Sequence, residues 1–173
     1  EAGLIVRKED KTYDRFRNRV MFPIHNLTGK VIAFGGRILT QGTQQNSKQA
    51  KQPKYINSPE TELYNKSKIL YGIFQAKQAI RKEDNCFLVE GYTDVISMHQ
   101  SGIHNVVSSS GTALTEDQIK LIKRYSENVT VIFDGDQAGI KASIRGIDML
   151  LEGGLNVRAI ALPDGEDPDS YVT

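Results

Sequence analysis

Cysteine is almost absent from this sequence. A single one, Cys86, excludes an internal disulfide framework and any zinc site built from several cysteines. No apolar run approaches the roughly 18 residues that cross a membrane, and no signal-peptide pattern opens the chain. A cytoplasmic protein with no membrane partner is therefore expected. The pattern Gly-x-x-x-x-Gly-Lys-Ser/Thr is missing, which excludes a P-loop ATPase within these residues. His25, His99 and His104 lack the spacing of a metal-ligand set, so surface or structural roles are expected for them. Cys86 lies inside an apolar run and reads as a small buried residue.

What is present is 173 residues, enough for one domain or two small ones. Hydrophobic residues make up 39% and charged residues 25%, ordinary values for a globular chain. The chain begins at Glu1 and stops at Thr173 with no tail signal, and reads as a piece of a longer protein. Its formal net charge of +1 conceals a division. Residues 1–82 hold 16 Lys and Arg against 6 Asp and Glu, or +10, whereas residues 83–173 hold 6 against 15, or −9. A basic half joined to an acidic half suggests a polyanionic partner on one side.

The basic half has β character. Arg19–Ile24 is an apolar run broken by Pro23, as expected of an edge strand, and Val31–Phe34 returns after the turn residues Asn26–Lys30. Gly35-Gly36 would let the backbone bulge or approach a ligand closely. Thr40–Gln52 is polar with five glutamines, the composition of a surface loop. From Pro59 to Arg81 the apolar residues fall near helical spacing, with Gly72 as a potential interruption.

The acidic half alternates. Strands are expected at Cys86–Val89, Val106-Val107, Val129–Phe133 and Val157–Leu162. Helices are expected at Thr93–Ser101, after the capping box Thr115–Gln118, and at Gln137–Leu151 with Ile140, Ile144, Ile147, Leu150 and Leu151 inward. This pattern gives an α/β fold: a mainly parallel four-stranded sheet flanked by helices, preceded by a smaller basic α+β part with an antiparallel hairpin.

Ligands of open parallel sheets bind beyond the carboxyl ends of the strands. Three of the four expected strands run into acids there: Glu90 with Asp94 a turn later, Asp134 and Asp136, and the run Asp164–Asp169 that includes Asp167 and Asp169. Gathered carboxylates repel unless a cation neutralises them. Oxygen ligands without histidine or cysteine favour Mg²⁺ or Mn²⁺, and phosphoryl or nucleotidyl transfer is the chemistry that most needs such an ion. Simpler readings exist for each element. Asp-Gly-Asp after a strand is often a turn with a helix cap, and Asp164–Asp169 alone reads as a solvated acidic loop. A calcium loop fits badly, since its third and last liganding positions would be Ala138 and Arg145. A receiver-type phospho-acceptor explains Asp134 but not Glu90.

The blocks Val89-Glu90-Gly91-Tyr92-Thr93-Asp94 and Phe133-Asp134-Gly135-Asp136-Gln137-Ala138-Gly139 resemble the acidic motifs of TOPRIM domains. More narrowly, they and the blocks Arg15–Ile24, Phe34–Arg37, Pro53–Thr61 and Leu162–Asp169 are similar to the catalytic core of bacterial DnaG-type DNA primases. Thr93 departs from the methionine usual before the aspartate. The resemblance implies a DNA-directed RNA polymerase that makes short RNA primers for replication. It implies that residues 1–82 end the N-terminal catalytic subdomain and bind nucleic acid and nucleotide, and that 83–173 form most of a metal-binding TOPRIM subdomain. Glu90, Asp134 and Asp136 would be the principal metal ligands, with Asp94, Asp167 and Asp169 as auxiliary ligands or orienters. Glu90 is alternatively a general base or acid. Implied partners are single-stranded DNA template, ribonucleoside triphosphates, the RNA primer and, through a domain not in this sequence, the replicative helicase. Zinc would belong only to a family module outside this sequence, and a monomer in the bacterial cytoplasm, at replication forks of the nucleoid, is expected.

Arg15, Arg17 and Arg19 alternate, so in extended backbone their guanidinium groups would share one face suited to phosphate. Lys54, Tyr55 and Asn57 offer a cation, a stacking ring and an amide, a combination suited to single-stranded nucleic acid. The family blocks add Asn18 and Arg37, and Lys66 as a further phosphate contact. Ser108–Thr112 after the second strand would touch phosphate or simply form a polar turn. Two other classes remain open to the sequence. One is another TOPRIM activity, nuclease or topoisomerase-like strand cleavage; the other is a non-catalytic nucleic-acid-binding module.

Overall fold

The computed structural model describes residues 3–39, 53–111, 113–133 and 137–173, with the backbone alone for 137–144. The expected loop Thr40–Gln52 lies outside the described residues, as do Thr112, Asp134 and Asp136. The chain divides into two compact units, residues 1–64 and 65–173.

The first unit is built on hairpins. Strands β1 (Ile5–Lys8) and β2 (Lys11–Asp14) pair antiparallel. Strands β3 (Arg19–His25), β4 (Val31–Ile38) and β5 (Tyr55–Asn57) form an antiparallel sheet in the order β3-β4-β5. Pro23 sits on the edge strand β3, where its missing N–H is harmless. The turn between β3 and β4 is held by Asn26, whose Oδ1 accepts from the backbone N–H groups of Thr28 and Lys30, each at 3.0 Å. Phe22 and Ile24 alternate inward and join Phe16, Ile32, Ala33 and Tyr64 in the core. Gly36 does permit a close approach, but its occupant is protein. A Cβ there would meet Phe16 Cδ1 at 2.5 Å.

The second unit begins with a 3₁₀ turn, Lys66–Lys68, and an extended stretch through Tyr71. Helix α1 spans only Ile73–Glu83. The expected helix from Pro59 is thus confined to its second part. Tyr71 exchanges two backbone hydrogen bonds with Ser108, at 2.9 and 3.1 Å, which fixes it as extended chain. Gly72 then turns with φ of 83°, and a Cβ there would sit 2.9 Å from Val95 Cγ1. Because Ile73, Ala76 and Ile80 are buried in this unit, α1 belongs with the acidic residues that follow it. The boundary between units therefore precedes the charge boundary at 82. By units the charge is +5 and −4, since Lys66, Lys68, Lys77, Arg81 and Lys82 fall in the second.

The remaining elements are β6 (Cys86–Val89), α2 (Tyr92–Gln100), β7 (Val106–Ser108), α3 (Glu116–Lys123), β8 (Asn128–Phe133), α4 (Gln137–Glu152), β9 (Asn156–Ala161) and α5 (Pro168–Val172). All pairs in the sheet are parallel, in the order β7-β6-β8-β9. The fold is the α/β architecture expected of a TOPRIM domain. Val89, Val95, Met98, Val106 and Ile132 form one core cluster, with Leu162 and Val172 packed against it. In α4, Leu150 is buried, yet Leu151 is 53% exposed. One residue advances a helix by about 100°, so Leu150 takes the inward position and carries its neighbour out. Ile147 is half-buried, and the side chains of Ile140 and Ile144 lie outside the described set. Helix α5 replaces what composition alone renders as an acidic loop. Asp167 accepts from Ser170 N–H at 2.7 Å as its N-cap, and Pro168 takes the first helical position.

Candidate functional site

Parallel pairing puts the carboxyl ends of all four strands, Val89, Ser108, Phe133 and Ala161, on one edge. From β6 the chain steps to one side to form β7, then crosses back to place β8 on the other side of β6. That reversal creates a switch point between the ends of β6 and β8, where open α/β sheets hold ligands. Glu90 is the first residue beyond β6 and is exposed. Its carbonyl accepts from the hydroxyl of Ser108, a fully buried residue, at 3.2 Å. Asp134 follows Phe133 in sequence, but Asp134 and Asp136 lie outside the described residues.

The three auxiliary acids all have structural bonds. Asp94 is 6% exposed, and its Oδ2 accepts from Gly91 N–H at 2.7 Å, at the start of α2. Asp167 caps α5. Asp169 accepts from the hydroxyl of Ser97, one helical turn beyond Asp94. The structure therefore brings Asp169 to the helix that carries Asp94. Each carboxylate has further lone pairs. Among the described residues, no three His, Cys, Asp or Glu side chains group closely enough to hold a metal. The donors offered around the switch point are carboxylate oxygens, which fit a hard divalent cation.

The basic candidates of the first unit separate into two kinds. Arg15, Arg17 and Asn18 lie in a turn between β2 and β3, so the three arginines do not share an extended face. Asn18 has φ of 53°, and its carbonyl accepts from Leu39 N–H. The guanidinium of Arg19 donates to the carbonyls of Gly36 at 3.2 Å, Lys54 at 3.2 Å and Pro53 at 2.9 Å. Arg15 Nε donates to the carbonyl of Asn57 at 3.1 Å. Both hold backbone. By contrast Arg37 and Lys54 flank one ring, at 5.8 and 5.9 Å from the centroid of Tyr55, because Arg37 pairs with Tyr55 across β4 and β5. Arg17 lies 5.2 Å from the ring of Tyr13. Arg37, Lys54 and Tyr55 thus form one cationic, aromatic patch.

Lys66 is half-buried and belongs to the second unit with Glu90. Ser108, expected as a phosphate contact or a polar turn, serves the turn. Its hydroxyl accepts from Ser110 N–H at 2.9 Å, where Ser110 adopts φ of 58°. Spacing gave no signal for Ser97 or for the bond from Ser108 to Glu90, whose partners are distant in sequence.

Away from this edge, the rings of His99 and His104 stand 4.3 Å apart. Burial, and secondarily His104, lower the pKa of His99 below its ordinary 6.5. Both border a cavity of about 1380 Å³ that is also lined by Asn85, Asn105, Thr130 and Arg158, in the amino-terminal part of the sheet. Neither Glu90 nor Asp94 lines it. No helix among the described residues is long and apolar enough to cross a membrane.

Comparison with known proteins agrees with this fold. Residues 1–77 match the family described as DNA primase catalytic core, N-terminal domain, and residues 87–172 match the Toprim-like family. The DNA primase of Clostridium acetobutylicum is 51% identical over 99% of the chain, which spans 27% of that relative. A crystal structure of a DNA primase domain from Pseudomonas aeruginosa aligns with a TM-score of 0.87 and 47% identity, covering 99% of this chain and 52% of that one. A DnaG primase catalytic domain solved bound to single-stranded DNA aligns with a TM-score of 0.84 and 43% identity, covering 99% and 54%. Membership of these families is consistent with a divalent metal. The chain belongs to the family of DnaG-type DNA primase catalytic cores.

Proposed function

We propose that this chain is the catalytic part of a bacterial DNA primase, synthesising short RNA primers on single-stranded DNA from ribonucleoside triphosphates. The observation that carries the reading is Glu90, exposed at the switch point of a parallel sheet in a chain that matches primase cores along its length. Glu90, Asp134 and Asp136 would hold Mg²⁺ or Mn²⁺, with Asp94, Asp167 and Asp169 orienting or adding to them. When bound, the ion supplies activation of an attacking 3′-hydroxyl and neutralises charge developing on the leaving pyrophosphate. Arg17, Arg37 and Lys54 bind phosphates of template or nucleotide, and the Tyr55 ring stacks on a base. Arg15, Arg19, Asn18 and Asn57 shape the backbone around them. Lys66 meets the triphosphate as a compact charge. The DnaG domain bound to single-stranded DNA supports a DNA template for this chain as well. Cytoplasmic action at replication forks follows from the same reading, as does helicase engagement through parts of the protein beyond this sequence. Nothing in the matches supports strand cleavage or a non-catalytic module.

The test is primer synthesis by the full-length primase carrying this sequence, with Glu90→Gln and Asp134→Asn. Each folded variant should lose synthesis by on the order of a hundredfold or more. Unchanged synthesis in both would refute the metal-site reading.

A further inference from the structure

Gln118, in the first turn of α3, is fully buried, and its side-chain amide is bonded at both ends. Its Oε1 accepts from Thr115 N–H at 3.1 Å, which completes the helix cap. A capping glutamine needs no more than that. Here the NH₂ group also donates to the carbonyls of Lys66 at 3.0 Å and Ile69 at 2.9 Å. Thr115 behaves alike: its hydroxyl accepts from Gln118 N–H at 3.2 Å and donates to the carbonyl of Ser67 at 2.5 Å. Two side chains from the start of α3 therefore hold three carbonyls of the segment that carries Lys66.

A three-residue 3₁₀ turn has little stability of its own, so these bonds set its conformation. The far end of the segment is fixed as well. Tyr71 pairs with Ser108, and the Ser108 hydroxyl donates to the carbonyl of Glu90. From Lys66 to Tyr71 the chain is thus tied to the strand edge that bears Glu90. An apolar side chain in place of Gln118 would fill the same space without the cost of desolvating an amide. What the amide adds is direction, because its planar NH₂ fork fixes where two carbonyls lie.

We propose that Gln118, assisted by Thr115, is a positioning residue that presents Lys66 to the triphosphate of the incoming nucleotide. The inference rests on the reading of Lys66 and Glu90 given above. Its test uses the full-length primase and Gln118→Met, which keeps length and approximate volume while deleting both donors. The folded variant should show a rise in nucleotide KM of about tenfold, with kcat changed less than about twofold. Lys66→Ala should raise KM similarly, and the double variant should be no worse than Lys66→Ala alone, because the two residues act as one unit. A wild-type KM in Gln118→Met, or losses that multiply in the double variant, would overturn the proposal. Should Gln118→Met fail to fold, Thr115→Val removes the bond to Ser67 with the same expected KM shift and the same refuting result. A wild-type KM in Lys66→Ala also overturns this inference and leaves the Glu90 test untouched. Synthesis that survives Glu90→Gln refutes the catalytic reading whatever Gln118 does.

Discussion

Arg19 and Arg37 are both arginines of the basic unit, one residue of β3 and one of β4, yet they do different work. Arg19 commits its guanidinium to three carbonyls around Gly36, Pro53 and Lys54, whereas Arg37 stands by the ring of Tyr55. Charge-assisted bonds of this kind contribute roughly 1–3 kcal/mol. Arg19→Ala should therefore destabilise the protein by an amount of that order, read from the urea midpoint. Arg37→Ala should leave the midpoint nearly unchanged and weaken binding of single-stranded DNA. Equal loss of stability in the two variants would contradict this division. The distinction was invisible in sequence, where alternation of Arg15, Arg17 and Arg19 pointed to a shared face. Alternation orders side chains only in extended backbone, and residues 15–18 turn instead.

Among the elements, α5 shows what capping chemistry decides. It has five residues, too few to persist without help. Asp167 supplies an N-cap and Pro168 a first position that lacks an N–H, while the hydroxyl of Ser97 reaches Asp169 from α2. Asp167→Ala should cost about 1 kcal/mol, visible in thermal melting, and should loosen Asp169 from α2. Hydrogen exchange at Tyr171 N–H, bonded to the carbonyl of Asp167, would show it directly. Protection unchanged by the substitution would exclude the cap as the source of order. The strands of the second unit, α2, α3 and α4 were legible because apolar period and the Thr115–Gln118 cap agree with the tertiary fold. Helix α5 was legible in principle from Asp-Pro, a known opening signal, but the density of acids suggested a solvated loop. The first part of Pro59–Arg81 has helical spacing yet is not helical for another reason: Tyr71 is claimed by Ser108, a partner that no local spacing reveals. Glu90 was the most legible residue of the candidate site, since its place directly after β6 in a parallel sheet puts it at the carboxyl edge. Least legible were Ser97, the bond from Ser108 to Glu90 and the second task of Gln118, whose partners lie far away along the chain.

At the scale of the molecule, charge and architecture are divided at different places. The compact units carry +5 and −4, and the lysines and arginines of 66–82 travel with the acids. Positive charge is thereby present on the unit that bears Glu90 as well as on the basic unit. Binding of single-stranded DNA should weaken linearly in log affinity against log salt. Each of Arg17→Ala, Arg37→Ala and Lys54→Ala should reduce the slope by about 0.7, the value for one released counterion on a single strand. Fluorescence anisotropy over a salt series measures it. Slopes identical to the parent protein in all three would remove these residues from the contact surface.

The order β7-β6-β8-β9 also has a consequence for how the protein is made. Strand β6 leaves the ribosome first but ends in the interior of the sheet, and its two neighbours arrive later on opposite flanks. The nascent chain can pair β6 with β7 early, while the other edge of β6 stays open until Phe133 has been synthesised. Such an open edge is the kind of surface that chaperones shield and that aggregation exploits. The switch point beside Glu90 exists only once β8 has paired with β6, so it cannot form before β8 has emerged from the ribosome.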